Sequence, residues 1–321
     1  MAEVSSLVIY PVKGCQGVHV DEALVLPTGL AYDRHWLVVA GDSGRFYSQR
    51  NEAKLALIVP SVHPEDLFTR GAATTPPNAA LTLSAPGKEP LKIPLAPPNG
   101  HLEEKRVTCW EWKGNARDEG EAAARWVSEL LGEPSRLVRF IGVPGTNDAA
   151  SDPTDRRRPA VPVGWGRVPG HEVAFCDRLP FLLTTEASLE SLNGVLGDGQ
   201  AVPMHRFRPN VVVSGTQAFE EDDWDTFTVS APSHAPCKFK SVMPCDRCKV
   251  TTIDQKTLKS GKEPMQTLSG FRSLQHLKDK FPESKYPSKA IFFGNLCAAI
   301  GHSIIRVGDT VSADMRDGRL E

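Results

Sequence analysis

The chain has 321 residues, 40% of them hydrophobic and 24% charged, and its formal net charge at pH 7 is -2. This length fits two domains of ordinary size, and the composition excludes wholesale disorder and fibrous repeats. The charge balance argues against a nucleic-acid partner, and the sequence shows neither an apolar run of membrane-spanning length nor a signal-like N-terminus, so we expect a soluble, untargeted, cytoplasmic protein without a membrane span.

Short runs of Val, Ile, Thr and aromatic residues, bounded by turn residues, predict many strands. In chain order they cover residues 4–10, 36–40, 55–59, 80–84, 106–110, 137–141, 211–214, 227–230, 249–253 and 304–307. Apolar residues at helical spacing predict helices over 119–131, 185–196 and 268–277. The sequence therefore predicts an α+β fold dominated by β-strands.

Two stretches without periodicity predict loops. Residues 143–170 are crowded with Pro, Gly, Asp and Arg, and residues 70–77 form a shorter stretch of the same kind. We expect a β-rich first domain over 1–142, a connecting region over 143–170 and a second β-rich domain over 171–321.

The cysteines are seven in number and scattered, which is not the pattern of a disulfide framework. The only close pair is Cys245 and Cys248. It is open to four interpretations: a zinc site completed by Cys237, a redox pair, two inert thiols, or one thiolate activated by Arg247 and Lys249 and suited to a soft metal.

Common nucleotide and redox motifs are missing from the sequence. It contains no dinucleotide-binding G-x-G-x-x-G, no phosphate-binding G-x-x-x-x-G-K-[ST], no C-x-x-C-H haem motif and no ferredoxin-like cysteine run. H-E-x-x-H and G-x-S-x-G are also absent, so zinc-protease and hydrolase interpretations lack support.

Three turns concentrate cationic side chains in contexts that suit an anion. Lys13 and Gly14 follow the first predicted strand, and backbone N–H groups of such a turn can bind phosphate. Arg34 lies in a second turn, and Arg208 and Asn210 come directly before a strand. An Arg fork binds phosphate in a bidentate manner, so each turn is a candidate anion contact.

Taken in order, these segments carry a family resemblance. The chain reads VIYPVKGCQG, then GLAYDRHWLVV, then RFRPNVVVSG, then CDRCKVTTID, and ends in RVGDTV. This series resembles the MOSC-domain proteins of the amidoxime-reducing component branch of molybdenum-cofactor enzymes, over nearly the whole chain. The resemblance implies a β-rich MOSC-N domain followed by a MOSC β-barrel, with molybdopterin between them.

The resemblance also implies roles for individual residues. Cys248 would be the thiolate that binds molybdenum, with Cys245 a neighbour that does not bind the metal. Contacts to the pterin and its phosphate would come from Lys13, Gly14, Arg34, Arg208, Asn210 and Arg247. The chain departs from the family pattern at Gly14, where a Ser is common, and at Asp246, where a small hydroxyl residue is expected.

The activity implied by the resemblance is reduction of N-hydroxylated compounds such as amidoximes and hydroxylamines, with reduction of nitrite to nitric oxide as a second activity. Electrons would come from cytochrome b5 and its NADH-dependent reductase, and Arg156, Arg157 and Arg158 are candidates for docking that acidic donor. The alternative is a MOSC protein that carries the molybdenum cofactor, or sulfur, without turnover.

Overall fold

A computed structural model describes residues 1–64, 67–70, 76–96, 102–141, 172–197, 199–281, 286–287 and 289–316. Its strands are β1 (Glu3–Ile9), β2 (Val18–Val20), β3 (Glu22–Leu26), β4 (Gly29–Leu30), β5 (Trp36–Ala40), β6 (Val59–His63), β7 (Ala80–Ser84), β8 (Leu91–Pro94), β9 (Glu104–Cys109), β10 (Trp112–Asp118), β11 (Ser135–Phe140), β12 (Phe181–Thr185), β13 (Val211–Ser214), β14 (Trp224–Ala231), β15 (His234–Asp246), β16 (Phe292–Ala299), β17 (Ile304–Arg306) and β18 (Thr310–Met315). Its α-helices are α1 (Leu67–Arg70), α2 (Glu121–Leu131), α3 (Glu186–Leu196) and α4 (Met265–Ser269).

Seven strands close into a barrel. Their order is β1-β13-β12-β16-β15-β14-β18, and β18 pairs with β1 to complete the ring, with Glu3 opposite Thr310. Neighbours are antiparallel except β12 and β13, which run parallel. Closure gives the strands a full set of pairing partners and removes the exposed edges of an open sheet.

The first half of the chain adds three smaller sheets. Strands β5, β11, β10 and β9 form an antiparallel sheet of four, and β6, β7 and β8 form one of three. The third sheet pairs β3 and β4 with β17 from the end of the chain. Because β1 belongs to the barrel and β17 to this third sheet, the two halves of the sequence exchange strands, and one apolar core runs through both.

The predicted fold class is confirmed: strands dominate, and a closed barrel is formed mainly by the second half of the chain. Two predicted strands are wrong. Residues 53–57 and 249–252 are 3₁₀ helices. In the second, the hydroxyl groups of Thr251 and Thr252 donate to the carbonyls of Cys248 (3.1 Å) and Lys249 (2.8 Å), so these β-branched residues stabilise a turn instead of a strand.

Other predicted elements differ in extent. The third helix covers only Met265–Ser269 and ends before Gly270. The longest strand, β15, was not predicted because Pro236 and Pro244 interrupt its sequence pattern. Bulges near Ser241 and Pro244 accommodate the irregular pairing with β16. The strand ends at Asp246, so Arg247 and Cys248 emerge directly from the barrel.

The predicted connecting region 143–170, including Arg156, Arg157 and Arg158, lies outside the described residues.

Candidate functional site

The site is assembled where the chain leaves β1. The Arg34 N–H donates to the Tyr10 carbonyl (2.7 Å), and the Lys13 N–H donates to the Trp36 carbonyl (2.9 Å). These backbone bonds join the turn after β1 to the turn before β5. Lys13 and Arg34, predicted from separate motifs, are thereby held on one side of the barrel.

The Tyr10 ring brings two arginines together. The guanidinium carbons of Arg34 and Arg208 each lie 4.3 Å from its centroid. Both residues have positive φ angles, 47° and 60°, a conformation that is uncommon for side chains other than Gly and Asn and that often marks functional sites. Stacking of two cations on one ring fixes the spacing between them.

Asn210 holds this arrangement from within the fold. Its Oδ1 accepts from Arg34 Nη1 (3.0 Å) and from the Leu182 N–H (3.2 Å), and its Nδ2 donates to the Val8 carbonyl (3.1 Å). The side chain is 1% exposed. Its amide thus connects β1 to the start of β12 and orients the Arg34 guanidinium.

Lys13, Arg34, Arg208 and Arg247 form what we call the cationic cluster, and two of its members have acidic partners among the described residues. Arg34 is paired with Asp33, and Lys13 with Asp177. Within the described chain no carboxylate lies within 4 Å of the Arg208 or Arg247 side-chain nitrogens.

Arg208 donates to the Cys15 carbonyl (2.7 Å), and burial together with the nearby Arg34 charge lowers the Arg208 pKa. A desolvated cation without a carboxylate costs stability, so the cluster suits an anionic ligand that supplies the missing charge.

Arg247 also has unused hydrogen-bonding capacity. Its Nη2 donates to the Phe207 carbonyl (2.6 Å) and its Nη1 to Cys245 Sγ (2.9 Å). Its Nε is buried and has no hydrogen-bond partner among the described residues. Because buried N–H groups nearly always have an acceptor, this unpaired N–H indicates that a bound ligand supplies one.

The two cysteines of the close pair differ in their surroundings. Burial raises the Cys245 pKa to about 11, and this thiol lies against Arg247. Both residues are partly exposed, but Cys248 Sγ makes no hydrogen bond within the described part of the chain. Because the Cys245 thiol is engaged by Arg247 and its pKa is raised, Cys248 is the better placed of the two to bind a metal as a thiolate.

The backbone conformation at Gly14 explains why this chain has Gly where the family pattern commonly has Ser. Its φ is +86°, in the region that favours glycine, and a Cβ there would lie 2.8 Å from Leu55 Cδ1. Its carbonyl accepts from Gln49 Nε2 (2.6 Å). In this chain the turn is therefore held by backbone contacts, and a Ser side chain would be strained.

Asp246, the other departure, is exposed and faces a cation. Its Oδ1 lies 3.9 Å from Arg178 Nη1, and 41% of its side chain is accessible. This weak pair places an acid and a base together beside the Cys245–Cys248 segment.

Sequence reasoning missed the residues that surround Lys13. Lys13 Nζ donates to the Phe175 carbonyl (2.7 Å) and to Asp177 Oδ1, which also accepts from Trp110 Nε1 (2.8 Å). Trp110 lies at the β9–β10 hairpin, where its φ is 57°. No local pattern links residues this far apart in sequence, and only the positive charge of Lys13 could have suggested an acidic partner.

The zinc interpretation finds no geometric support in the described residues. Cys237 is fully buried, and burial raises its pKa to about 12. Across the described ranges, no three side chains of His, Cys, Asp or Glu form a group that could hold a metal ion.

Comparison with known proteins places the chain in a family. Residues 1–134 match the model of the MOSC N-terminal beta barrel domain, and residues 170–312 match the MOSC domain. The sequence is 35% identical over 316 residues to mitochondrial amidoxime-reducing component 1 of Homo sapiens, covering 96% of this chain and 82% of that protein. The chain belongs to the amidoxime-reducing component family of MOSC-domain proteins. The family resemblance described from the motifs is therefore confirmed.

Two other relatives show similar agreement. Mitochondrial amidoxime-reducing component 1 of Mus musculus is 36% identical over 315 residues, covering 96% of this chain and 81% of that protein. Mitochondrial amidoxime reducing component 2 of Rattus norvegicus is 34% identical over 316 residues, covering 96% and 82%.

The names of these relatives correct one expectation. All three are called mitochondrial, so the predicted cytoplasmic location is wrong. Composition and charge could not have decided this, because they describe the folded domains and not the compartment. In the described ranges, no helix has both the length and the apolar character needed to cross a membrane.

Proposed function

We propose that this chain is a molybdenum-cofactor-dependent reductase of N-hydroxylated compounds. The observation that carries the proposal is the pair of arginines, Arg208 and Arg247, which lack acidic partners in the described chain, beside the accessible thiol of Cys248. The molybdenum cofactor presents the phosphate of molybdopterin and a metal that binds thiolates. The donor set therefore fits this cofactor: cations for the phosphate, an unused N–H at Arg247 and one thiolate for molybdenum.

The family resemblance and the contacts of each residue together support the following roles. Arg34 and Arg208, spaced by Tyr10, bind the phosphate, and Asn210 orients Arg34. Following the family resemblance, Lys13, held by Asp177, and the backbone at Gly14 would contact the pterin or its phosphate. Arg247 donates through Nε, and Cys248 Sγ binds the metal.

The bound cofactor supplies two-electron oxygen-atom chemistry, and the protein supplies binding and electrostatics. Reduction of an N–OH group consumes two electrons and two protons and releases water. Reduction of nitrite to nitric oxide consumes one electron and two protons and also releases water.

The electrons come from another protein in this proposal, because the sequence lacks the common nicotinamide, haem and ferredoxin motifs. Following the family resemblance, we propose cytochrome b5 served by its NADH-dependent reductase. Arg156, Arg157 and Arg158 remain candidates for the docking surface by sequence alone.

A carrier that binds the same cofactor without turnover would use the same cations. The accessible Cys248 thiol favours the enzyme, because delivery of the cofactor requires phosphate binding and does not require a protein ligand on the metal. The two functions differ in turnover when electrons are supplied.

The test compares Cys248→Ser with Cys245→Ser. Molybdenum content is measured by elemental analysis, and benzamidoxime reduction is measured with cytochrome b5 and its reductase and, separately, with a chemical reductant. Cys248→Ser is expected to abolish both reactions, and Cys245→Ser to retain most of each. Loss in Cys245→Ser alone would contradict the assignment of the ligand. Bound molybdenum without reduction by either donor would identify the carrier.

A further inference from the structure

A cavity of about 310 Å³ lies beside the cationic cluster, between the outer face of β1, helix α3 and the turn before β13. Its lining includes none of the cluster's cations and neither Cys245 nor Cys248. Small-molecule pockets begin at about 300 Å³, so the cavity is large enough for an organic ligand.

The walls of the cavity are largely apolar. Val8 contributes from β1, Leu189 from α3, Val212 from β13, and Met204 from the 3₁₀ helix that precedes the Arg208 turn. Val8 lies on the same face of β1 as Ser6, two residues away, because alternate residues of a strand share a face. A ligand body of aromatic or alkyl carbon matches these walls.

One lining residue has an unsatisfied polar group. Tyr10 is 2% exposed, and in the part of the chain that the structure describes its Oη has no hydrogen-bond partner. Its ring faces are occupied by Arg34 and Arg208, and the same residue lines the cavity. A buried hydroxyl without a partner is uncommon and costs free energy, which points to a polar group supplied from outside the fold.

Two carboxylates line the cavity on the side of α3, away from the Arg34 and Arg208 side chains that stack on Tyr10 but do not themselves line it. Glu186 and Glu190, four residues apart and thus neighbours on α3, both line it and are both exposed. Neither lies within 4.0 Å of a basic side-chain nitrogen in the described ranges. His205 also lines the cavity, and burial with the nearby Arg206 charge lowers its pKa, which favours the neutral imidazole. His19, the other lining histidine, is exposed and its Nδ1 lies 3.3 Å from Ser6 Oγ.

We propose that this cavity is a second small-molecule site that binds an organic monocation. An amidinium or ammonium group pairs with Glu186 and Glu190, and its aromatic or short alkyl body occupies the apolar walls. The site is separate from the one proposed for the cofactor, and its occupancy does not depend on molybdenum. It shares the Tyr10 side chain with the cationic cluster.

Three ligands of one shape test the charge preference. Benzamidine is a cation, benzamide is neutral and benzoate is an anion, and their dissociation constants can be measured by NMR titration of the purified full-length protein. Benzamidine is expected to bind most tightly and benzoate most weakly, with the difference shrinking as salt rises. Equal affinity for benzamidine and benzoate, or no binding of benzamidine, would overturn the proposal.

Substitutions then locate the ligand. Glu186→Gln with Glu190→Gln is expected to weaken benzamidine binding by roughly four- to 25-fold, counting about two- to fivefold for each exposed ion pair, and to leave benzamide unchanged. The matched control is Glu103→Gln with Glu104→Gln, which removes two exposed carboxylates outside the cavity lining and should have no effect. An equal effect in both double variants would mean that only net charge matters, and the site would be wrong.

Leu189→Trp fills the cavity from α3 and should weaken benzamidine and benzamide alike, whereas unchanged binding would place the ligand elsewhere.

Cys248→Ser is expected to leave all three affinities unchanged. If it lowers benzamidine binding, the ligand sits at the cofactor site and the second site is rejected. Because binding is measured directly, the result does not depend on whether the proposed reductase activity is found.

Discussion

Two of the regions in which this protein buries charged groups differ in how the charge is balanced. In the acidic cluster, formed by Glu221, Asp222 and Arg272, the charges are balanced inside the fold. Asp222 Oδ2 lies 2.7 Å from Arg272 Nη2, and their side chains are 0% and 5% exposed. In the cationic cluster, Arg208 and Arg247 have no such partner among the described residues.

In the acidic cluster, Glu221 is also held by hydrogen bonds. The Ser188 hydroxyl lies 2.9 Å from each oxygen of the Glu221 carboxylate, and the Thr185 hydroxyl donates to one of them (3.2 Å). Both clusters hold buried atoms without a hydrogen-bond partner in the described chain: Asp222 Oδ1 and Oδ2 and Arg272 Nη2 in the first, and Arg247 Nε in the second. The difference is that Asp222 and Arg272 lie within ion-pair distance of each other, whereas Arg247 has no carboxylate within 4 Å among the described residues. The acidic cluster thus acts as a support between α3 and the barrel, and the cationic cluster keeps binding capacity for a ligand. A charged group that the fold leaves without a counter-ion is therefore a better indication of a functional site than a charged group that is paired inside the fold.

The largest effect is expected from breaking the acidic cluster. Asp222→Ala leaves Arg272 buried without its counter-ion, and the free energy of unfolding should fall by about 3–5 kcal/mol. The control is Asp223→Ala, the next residue, whose carboxylate is 55% exposed and pairs with Lys280 at 2.8 Å. It should cost about 1 kcal/mol or less. Urea unfolding of the two variants measures the difference, and equal losses would show that the burial of Asp222 does not matter.

The pH dependence of stability tests Glu221. Burial and the neighbouring Asp222 charge raise its pKa to about 7, above its usual value, so the folded state holds a proton that the unfolded state releases. The free energy of unfolding should therefore fall as pH rises from about 4.5 to 7, by up to about 3 kcal/mol from this group.

Other groups oppose this trend. Burial lowers the His35 pKa to about 3. Between about pH 3 and 6.5 the unfolded state therefore binds a proton at His35 that the folded state does not, and the free energy of unfolding rises with pH because of this group. The informative measurement is the difference between the unchanged protein and Glu221→Gln at each pH, in which the His35 contribution cancels. Glu104→Gln serves as the control for loss of one exposed carboxylate. A difference that is constant across the window would refute the shifted pKa.

The smallest of the three effects concerns Arg208. Arg208→Ala should weaken cofactor retention by about ten- to a hundredfold, the equivalent of about 1.5–3 kcal/mol for a charge-assisted bond. The cofactor-free protein should lose little stability, because the removed cation lacks a carboxylate partner. Arg206→Ala is the matched control, since Arg206 Nη2 pairs with Asp254 at 2.8 Å and makes no contact to Tyr10. Molybdenum content after purification distinguishes them, and full loading of Arg208→Ala would reject the phosphate contact.

Several features could be predicted from the sequence because they depend on neighbouring residues. Helix α2 ends at Leu131 because Gly132 takes a left-handed conformation, and its apolar spacing is visible in the sequence. Strands β5, β7 and β13 were predicted with the boundaries that the structure gives. The cations of the turns at Lys13, Arg34 and Arg208 mark these turns in the sequence, and the structure brings them together; the role of Cys248 stays a prediction.

Tertiary structure alone decided how charge and strands are distributed between these segments. Lys13 and Asp177 lie 164 positions apart, and β1 closes the barrel against β13 and β18 near the other end of the chain. Whether Arg208 has a carboxylate partner depends on which distant side chains the fold brings near it, and no local pattern records that. Local propensity determined the turns and most of the strands, whereas desolvation and long-range contacts decided which cations lack an acidic partner. Those contacts also joined Trp110 to the site and enclosed the cavity beside Tyr10.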